Sequence, residues 1–129
     1  DSYLNLPLDE MMLHIQKAVE NGHPVCWEGD ISEEGFIHAK DNYVDISKNE
    51  RPVTPTSRQE EFEQLRTTDD HVMEIIGTFL KDEQRYYVCR NSAGKKWGNQ
   101  GLIYLSEDYI RLKTIAVFMS EEAFLFDRK

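Results

Sequence analysis

The sequence has no long hydrophobic run, no internal repeat and no low-complexity segment. Its apolar stretches all fall well short of the roughly 20 residues that a transmembrane helix needs, which excludes a helix that spans a membrane. It also has no excess of basic residues, because 15 lysines and arginines stand against 24 aspartates and glutamates and leave a net charge of −9. That charge disfavours binding to nucleic-acid phosphates and to anionic lipid.

Cysteine and histidine are both scarce. The two cysteines, Cys26 and Cys89, lie in apolar segments, where a thiol usually packs as a small hydrophobic group. One pair does not make a disulfide framework. The four histidines show no metal-ligand spacing, so the sequence predicts neither a metal site nor a cofactor.

The start of the chain carries no recognisable signal peptide, because an initiator methionine and a basic region followed by an apolar stretch are both missing. A chain that starts at Asp1 is expected to have been cut from a longer protein. A secreted or periplasmic origin therefore stays open. The length of 129 residues fits a single domain over residues 1–129.

The hydrophobic pattern predicts helices early in the chain and strands late. Apolar residues recur at helical spacing from Leu8 to Val19, and Ser57 with Glu60 resembles a capping box that begins a second helix. Strand patterns cover residues 25–27, 43–44, 72–80, 85–90, 101–105 and 114–119, and Ser106 begins a capped helical turn. This order predicts an α+β domain built on an antiparallel sheet.

One histidine and one asparagine flank the predicted hairpin. The imidazole of His71 can act as a general base near neutral pH if its tautomer is fixed, and the side-chain carbonyl of Asn91 can fix it without adding charge. With the turn centred at residues 82–83, however, His71 would face Gly94 and Asn91 would face Glu74, on opposite faces of the hairpin. One β-bulge would restore the parity, so a contact between His71 and Asn91 requires a bulge.

The segments around these two residues resemble the papain superfamily of cysteine peptidases. Residues 91–101 read N-S-A-G-K-K-W-G-N-Q-G, which is similar to the signature N-S-W-G-x-x-W-G-x-x-G, and residues 67–71 read T-T-D-D-H. Within the superfamily the chain is most similar to the bleomycin hydrolase and bacterial aminopeptidase C branch, whose segments also resemble residues 5–10, 27–36, 86–92 and 104–123. The resemblance covers nearly the whole chain.

The resemblance implies a papain-like right-hand half, which is an antiparallel sheet or partial barrel with an N-terminal amphipathic helix and short peripheral helices. His71 would be the general base and acid of a cysteine aminopeptidase and Asn91 its orienting residue, while Asp70 and Trp97 would bind substrate. The intact enzyme would hydrolyse short peptides through a thioester, in the cytoplasm and without a cofactor. A homo-oligomer, with a hexamer as the implied assembly, is the expected state.

Two departures from the family pattern matter. Ala93 stands where the family has its first tryptophan, which shields the asparagine–histidine hydrogen bond from water. The nucleophilic cysteine belongs to the other half of the family fold, so we expect a Cys-bearing half of the same protein as a partner and an inactive chain without it. A non-catalytic papain-like binding or interaction module is the competing hypothesis, and both departures favour it.

Cys26 is a poor candidate for the missing nucleophile. It precedes His71 by 45 residues (71 minus 26), whereas a papain-like nucleophile lies about 130 residues or more before its histidine. A reactive thiolate also needs a helix N-terminus or a nearby cation, and Cys26 lies in an apolar strand pattern. The sequence therefore predicts that Cys26 packs in the core.

Overall fold

The chain forms one sheet with helices before, between and after its strands. A computed structural model describes residues 6–30, 41–46, 48–64, 70–91 and 101–126, with the backbone alone at positions 62, 64, 70, 91, 125 and 126. The elements are α1 (Leu8–Glu20), β1 (Val25–Asp30), β2 (Tyr43–Val44), a 3₁₀ turn (Lys48–Glu50), α2 (Pro55–Gln64), β3 (Asp70–Lys81), β4 (Gln84–Asn91), β5 (Leu102–Ser106), α3 (Glu107–Lys113), β6 (Thr114–Phe118) and α4 (Glu121–Phe126). No helix in these ranges is long and apolar enough to cross a membrane.

Six strands form the sheet in the order β2-β5-β4-β3-β1-β6. Neighbouring strands are antiparallel, except that β2 runs parallel to β5. The α+β class and the largely antiparallel sheet are confirmed. The described strands leave β2 and β6 as free edges, so the sheet is open and is not closed into a barrel.

One face of the sheet carries the hydrophobic core. The apolar side of α1 is buried as its periodicity predicts, and this helix packs against β1 and β3. The short helix α3 packs against β1, β4, β5 and β6. Strand residues that alternate toward these helices are fully buried, including Val25, Trp27, Met73, Ile75 and Tyr87. We call this side of the sheet the core face and the opposite side the outer face.

The hairpin of β3 and β4 closes through a tight turn. Lys81 pairs with Gln84, and the two residues between them, Asp82 and Glu83, have φ angles of 51° and 66°. Positive φ at both central residues is typical of the type I′ turn, whose twist matches that of the flanking strands. The predicted turn centre is confirmed, although neither residue is the glycine that this geometry favours.

Two helix starts differ in how well the sequence predicts them. The Ser106 hydroxyl accepts a hydrogen bond from the Tyr109 backbone N–H at 3.0 Å, which confirms the predicted cap of α3. At α2 the cap is Thr54 rather than Ser57, because each side-chain oxygen accepts from the backbone N–H of the other residue, at 2.9 and 3.1 Å. Pro55 then occupies the first helical position, where its missing N–H costs nothing.

Candidate active site

His71 lies near the beginning of β3, at one end of the sheet. It pairs with Gly29 of β1, and its side chain is half-buried. Residues two and four positions further along the strand, Met73 and Ile75, are fully buried. Because alternate residues of a strand point to the same side, His71 belongs to the core face at the point where the packed core reaches the edge of the protein.

A β-bulge shifts the register between β3 and β4. Beyond it Gly77 pairs with Val88, and before it Ile75 pairs with Cys89, so Ile76 is the extra residue. The shift places Asn91 opposite Met73, two residues from His71, rather than opposite Glu74. Positions 71 and 91 thereby come to the same face of the sheet. The bulge that a contact between these residues requires is present.

The backbone spacing of positions 71 and 91 suits a contact between their side chains. They are diagonal neighbours on adjacent antiparallel strands, for which Cβ atoms lie about 7–8 Å apart, within reach of aromatic and long side chains. The Asn91 side chain and Trp97 are outside the described part of the structure. Asp70, also described by its backbone alone, pairs with Asp30. The His71–Asn91 hydrogen bond and the substrate roles of Asp70 and Trp97 stay predictions.

The two cysteines lie in different environments. Cys26 is exposed and pairs with Glu74 on one side and Phe118 on the other, which puts it on the outer face. The prediction that Cys26 packs in the core is wrong, because the core covers only the residues that alternate with it, Val25 and Trp27. Cys26 is also on the opposite side of the sheet from His71, so the two cannot share one site.

Cys89 is buried in the core as predicted. Burial raises the pKa of its thiol well above the usual range, although a hydrogen bond from the backbone of Leu105 acts in the other direction. The thiolate form is therefore strongly disfavoured. Neither cysteine of this chain combines a reactive thiol with a place beside His71.

Three apolar side chains are exposed on the outer face, the side of the sheet opposite to His71. Val72, the next residue along β3, is 45% exposed, and Phe118 on the edge strand β6 is 47% exposed. The bulge residue Ile76 is 37% exposed. Glu74 lies among them and forms an ion pair with Arg90. Single exposed apolar side chains separated by an ion pair are normal for a protein surface, so these residues alone do not define a docking surface.

A buried hydrogen-bonded chain anchors Trp27 behind the site. The indole Nε1–H donates to the Thr114 hydroxyl at 2.6 Å, and that hydroxyl donates to the carbonyl oxygen of Ile110 at 2.5 Å. Trp27 and Thr114 are both fully buried. The sequence predicts Trp27 in a strand but gives no sign of this partnership, because Thr114 is 87 residues away.

The strongest charge cluster lies away from His71, where β2, β5 and the loop after β2 meet. Burial of the Asp45 carboxyl raises its pKa, but hydrogen bonds from Arg51, Ser106, Gln84 and the backbone N–H of Ile46 outweigh that effect and hold the pKa below its ordinary 3.8. This cluster ties the loop to α3. Among the described residues, no group of three or more His, Cys, Asp or Glu side chains could hold a metal ion.

Comparison with known proteins gives a family and a fold. The family model "Papain family cysteine protease" matches residues 12–120. The chain is similar to the solved structure of PepW from Lactobacillus rhamnosis HN001, with a TM-score of 0.68 and 20% identity over 96% of this chain and 29% of that one. It is also similar to digestive procathepsin L 3 from Tenebrio molitor larval midgut, with a TM-score of 0.47 and 16% identity over 80% of this chain and 30% of that one. No curated protein sequence matches.

Proposed function

Since this chain belongs to the papain family of cysteine proteases, we propose that it is the half of a cysteine aminopeptidase that bears the catalytic histidine and asparagine. The nucleophilic cysteine would lie in another segment of the same protein, the Cys-bearing half. The extent of the chain supports this division, because it spans only 29% of the PepW structure that it resembles. The similarity of its motifs to the bleomycin hydrolase and aminopeptidase C branch supports aminopeptidase action.

The observation that carries the proposal is the β-bulge at Ile76. An uninterrupted ladder would put positions 71 and 91 on opposite faces of the sheet, whereas the bulge brings them to one face as diagonal neighbours. Bulges gather beside active sites because they re-aim a side chain without a change of topology. In the proposed enzyme the Asn91 side-chain carbonyl accepts a hydrogen bond from one ring nitrogen of His71, which leaves the other nitrogen free for proton transfer.

The proposed reaction has two steps. A thiolate from the Cys-bearing half attacks the carbonyl carbon of the substrate, and His71, which holds the proton from that thiol, donates it to the leaving amine as the C–N bond breaks. In the second step His71 takes a proton from water as the water attacks the thioester, and the acid product leaves as the C–S bond breaks. The imidazolium and the thiolate are then regenerated. Neither step needs a metal or a cofactor.

The partners of the chain follow from this proposal. The Cys-bearing half would contact the end of the sheet where His71 lies on the core face, so the exposed apolar side chains of the outer face, Val72, Ile76 and Phe118, are not assigned to this contact. The chain alone would be inactive, because its own cysteines are buried or on the wrong face. Short peptides as substrates, a homo-oligomeric and specifically hexameric assembly, and a cytoplasmic location belong to the same proposal, and rest on the resemblance of the motifs.

An activity assay on the full-length protein, with its upstream sequence, tests the proposal. We expect hydrolysis of a fluorogenic aminoacyl amide, and a decrease in kcat of about 10²–10⁴-fold for His71→Ala, as is typical when a general acid and base is removed. His23→Ala is the matched control, because His23 lies between α1 and β1 and away from the site, and it should leave kcat unchanged. Equal activity of the His71→Ala variant and the wild type would contradict the proposal.

Thiol labelling identifies the nucleophile independently. We expect a thiol-reactive peptide analogue to modify one cysteine upstream of residue 1 and to spare Cys26 and Cys89. Cys26→Ser should keep both activity and labelling. Rapid labelling of Cys26 would overturn its exclusion, and a native reading frame with no upstream cysteine, and no second chain to supply one, would overturn the peptidase proposal.

The alternative is a papain-like binding or interaction module without catalysis. Ala93, in the position of the signature tryptophan, is the observation that favours it. A full-length protein that binds peptides with the same affinity before and after His71→Ala, and hydrolyses none of them, would support the module.

A further inference from the structure

The side chain of Trp27 lies over Gly29 of the same strand, β1, and Gly29 is the residue paired with His71. A Cβ atom placed on Gly29 would lie 2.1 Å from Cζ2 and 2.4 Å from Cη2 of the Trp27 ring, and 2.7 Å from the carbonyl oxygen of Lys113. The six-membered ring of Trp27 therefore lies along the strand and fills the space that a side chain at position 29 would occupy. Only glycine leaves room for it.

That space is the one directly opposite His71. Gly29 and His71 are paired residues of β1 and β3, and directly opposed Cβ atoms on antiparallel strands lie about 4.5–5.5 Å apart. Both residues belong to the core face, on which Trp27 is fully buried. The indole ring therefore lies over Gly29, between His71 of β3 on one side and Thr114 of β6, the other residue paired with Gly29, on the other side.

The ring is held in this orientation. Its Nε1–H donates to Thr114, whose hydroxyl donates in turn to Ile110, so both ends of the indole are constrained: one by a hydrogen bond and the other by the backbone around Gly29. A large buried aromatic ring with a satisfied N–H is a rigid element. A rigid apolar wall limits the rotamers of a neighbouring side chain and excludes water from one side of it.

We infer that Trp27 is a positioning residue for His71, in that its indole edge, admitted by Gly29 and anchored by Thr114, forms the apolar wall against which the imidazole rests. The catalytic part of this inference rests on the proposed function, because the wall would hold the imidazole toward position 91 and toward the thiolate. The contact itself concerns this chain alone. It can therefore be tested whether or not the protein is a peptidase.

A direct test is the measurement of nuclear Overhauser effects between the two rings in the wild-type chain of 129 residues. We expect cross-peaks between protons of the six-membered ring of Trp27 and the ring protons of His71, because that ring lies over Gly29, the residue paired with His71. Absence of these cross-peaks in a folded, assigned protein would overturn the inference. This measurement needs no variant, so a variant that fails to fold leaves the inference fully testable.

A second test measures the chemical shifts of the His71 ring protons by NMR at fixed pH. An aromatic ring shifts the resonances of protons that lie against it, so removal of the indole by Trp27→Leu should move the His71 ring-proton resonances. Trp27→Phe, which keeps an aromatic ring, should move them less.

The matched control is Ile103→Val, a buried truncation on β5, which is separated from β3 by β4. It should leave the His71 ring-proton resonances unchanged. An equal shift in the control, or none in Trp27→Leu, would contradict a specific wall beside His71.

In the full-length enzyme, Trp27→Phe should lower kcat by about 10- to 100-fold with KM unchanged, as expected for a misplaced catalytic group. Loss of activity in His71→Ala without any effect of Trp27→Phe would refute the positioning role and leave the proposed function standing. Cross-peaks and a ring-current shift of the His71 protons in a protein without peptidase activity would do the reverse.

Discussion

The hydrogen bond from Trp27 to Thr114 provides the sharpest test of how the core is held together. Thr114→Val keeps the shape of the side chain and removes the hydroxyl, so the fully buried indole N–H loses its acceptor. A buried donor without a partner costs about 1–3 kcal/mol, and the lost bond to Ile110 costs about 0.5–1.5 kcal/mol more. The added methyl group offsets about 0.8 kcal/mol. We expect a net loss of about 2 kcal/mol.

This loss should be visible in thermal and chemical unfolding. With an unfolding entropy of about 2.1 cal/mol/K per residue, the 129 residues give about 270 cal/mol/K, so 2 kcal/mol lowers Tm by about 7 °C. Urea unfolding followed by circular dichroism should show the same loss as a lower midpoint with an unchanged slope. Circular dichroism is preferable to fluorescence because the Trp27→Phe variant of the double-mutant cycle lacks a tryptophan.

A double-mutant cycle separates the hydrogen bond from other effects. In a Trp27→Phe background no indole N–H remains, so Thr114→Val should cost about 1–2 kcal/mol less than in the wild type. The control is Thr78→Val on β3, a part-buried position whose hydroxyl donates to the carbonyl of Tyr86 and accepts from Arg85, where solvent can replace the lost partners and the cost should be the same in both backgrounds. A cost of Thr114→Val that is the same in both backgrounds would refute the reasoning.

Three further outcomes follow from contacts elsewhere. Asp45→Asn should cost about 1 kcal/mol at pH 7, a value discounted for solvent screening. The folded pKa of Asp45 is below its ordinary 3.8, so the carboxylate stabilises the fold above pH 3.8 and this stabilisation is lost as the pH falls below that value. Urea unfolding at a series of pH values should therefore show the free energies of unfolding of the variant and the wild type converging in acid. Glu83→Gly should raise stability by about 0.5 kcal/mol, because glycine adopts the positive φ of the turn without strain, and Glu83→Ala should bring no gain in thermal unfolding. Thr54→Ala should cost about 1 kcal/mol in thermal unfolding as the cap of α2, and an unchanged Tm would contradict that assignment.

Local patterns explain why the sequence predicts most of the elements. The stripe on α1, the cap at Ser106 and the turn at residues 82–83 are each set by residues within a few positions of one another. The same local logic misplaces the cap of α2, since Thr54 and Ser57 offer equivalent hydroxyls three residues apart. It does not predict α4 or the 3₁₀ turn, both of which are too short for a clear periodic pattern.

The candidate site shows where local patterns stop. Residues 72–80 read as an almost continuous apolar run, in which an inserted bulge residue has no signature of its own; Gly77 beside it is the one hint, because glycine inside a strand often marks a bulge. The sequence therefore predicts that a bulge is needed for His71 to meet Asn91, but not where it lies. The exposed position of Cys26 is equally hidden, because the strand pattern does not say which face the helices cover.

The sequence by itself determines the α+β class, the order of most elements and, through its motifs, the resemblance to papain-like peptidases. These properties depend on hydrophobic spacing, turn chemistry and residue identity, all of which can be read along the chain. The tertiary structure alone decides that the bulge falls at Ile76, that Cys26 lies on the outer face, and that Trp27 lies over Gly29 opposite His71. The physical reason is that these three features depend on packing between strands that are far apart in sequence. That packing fixes both the register of the strands and the face of the sheet that the helices cover.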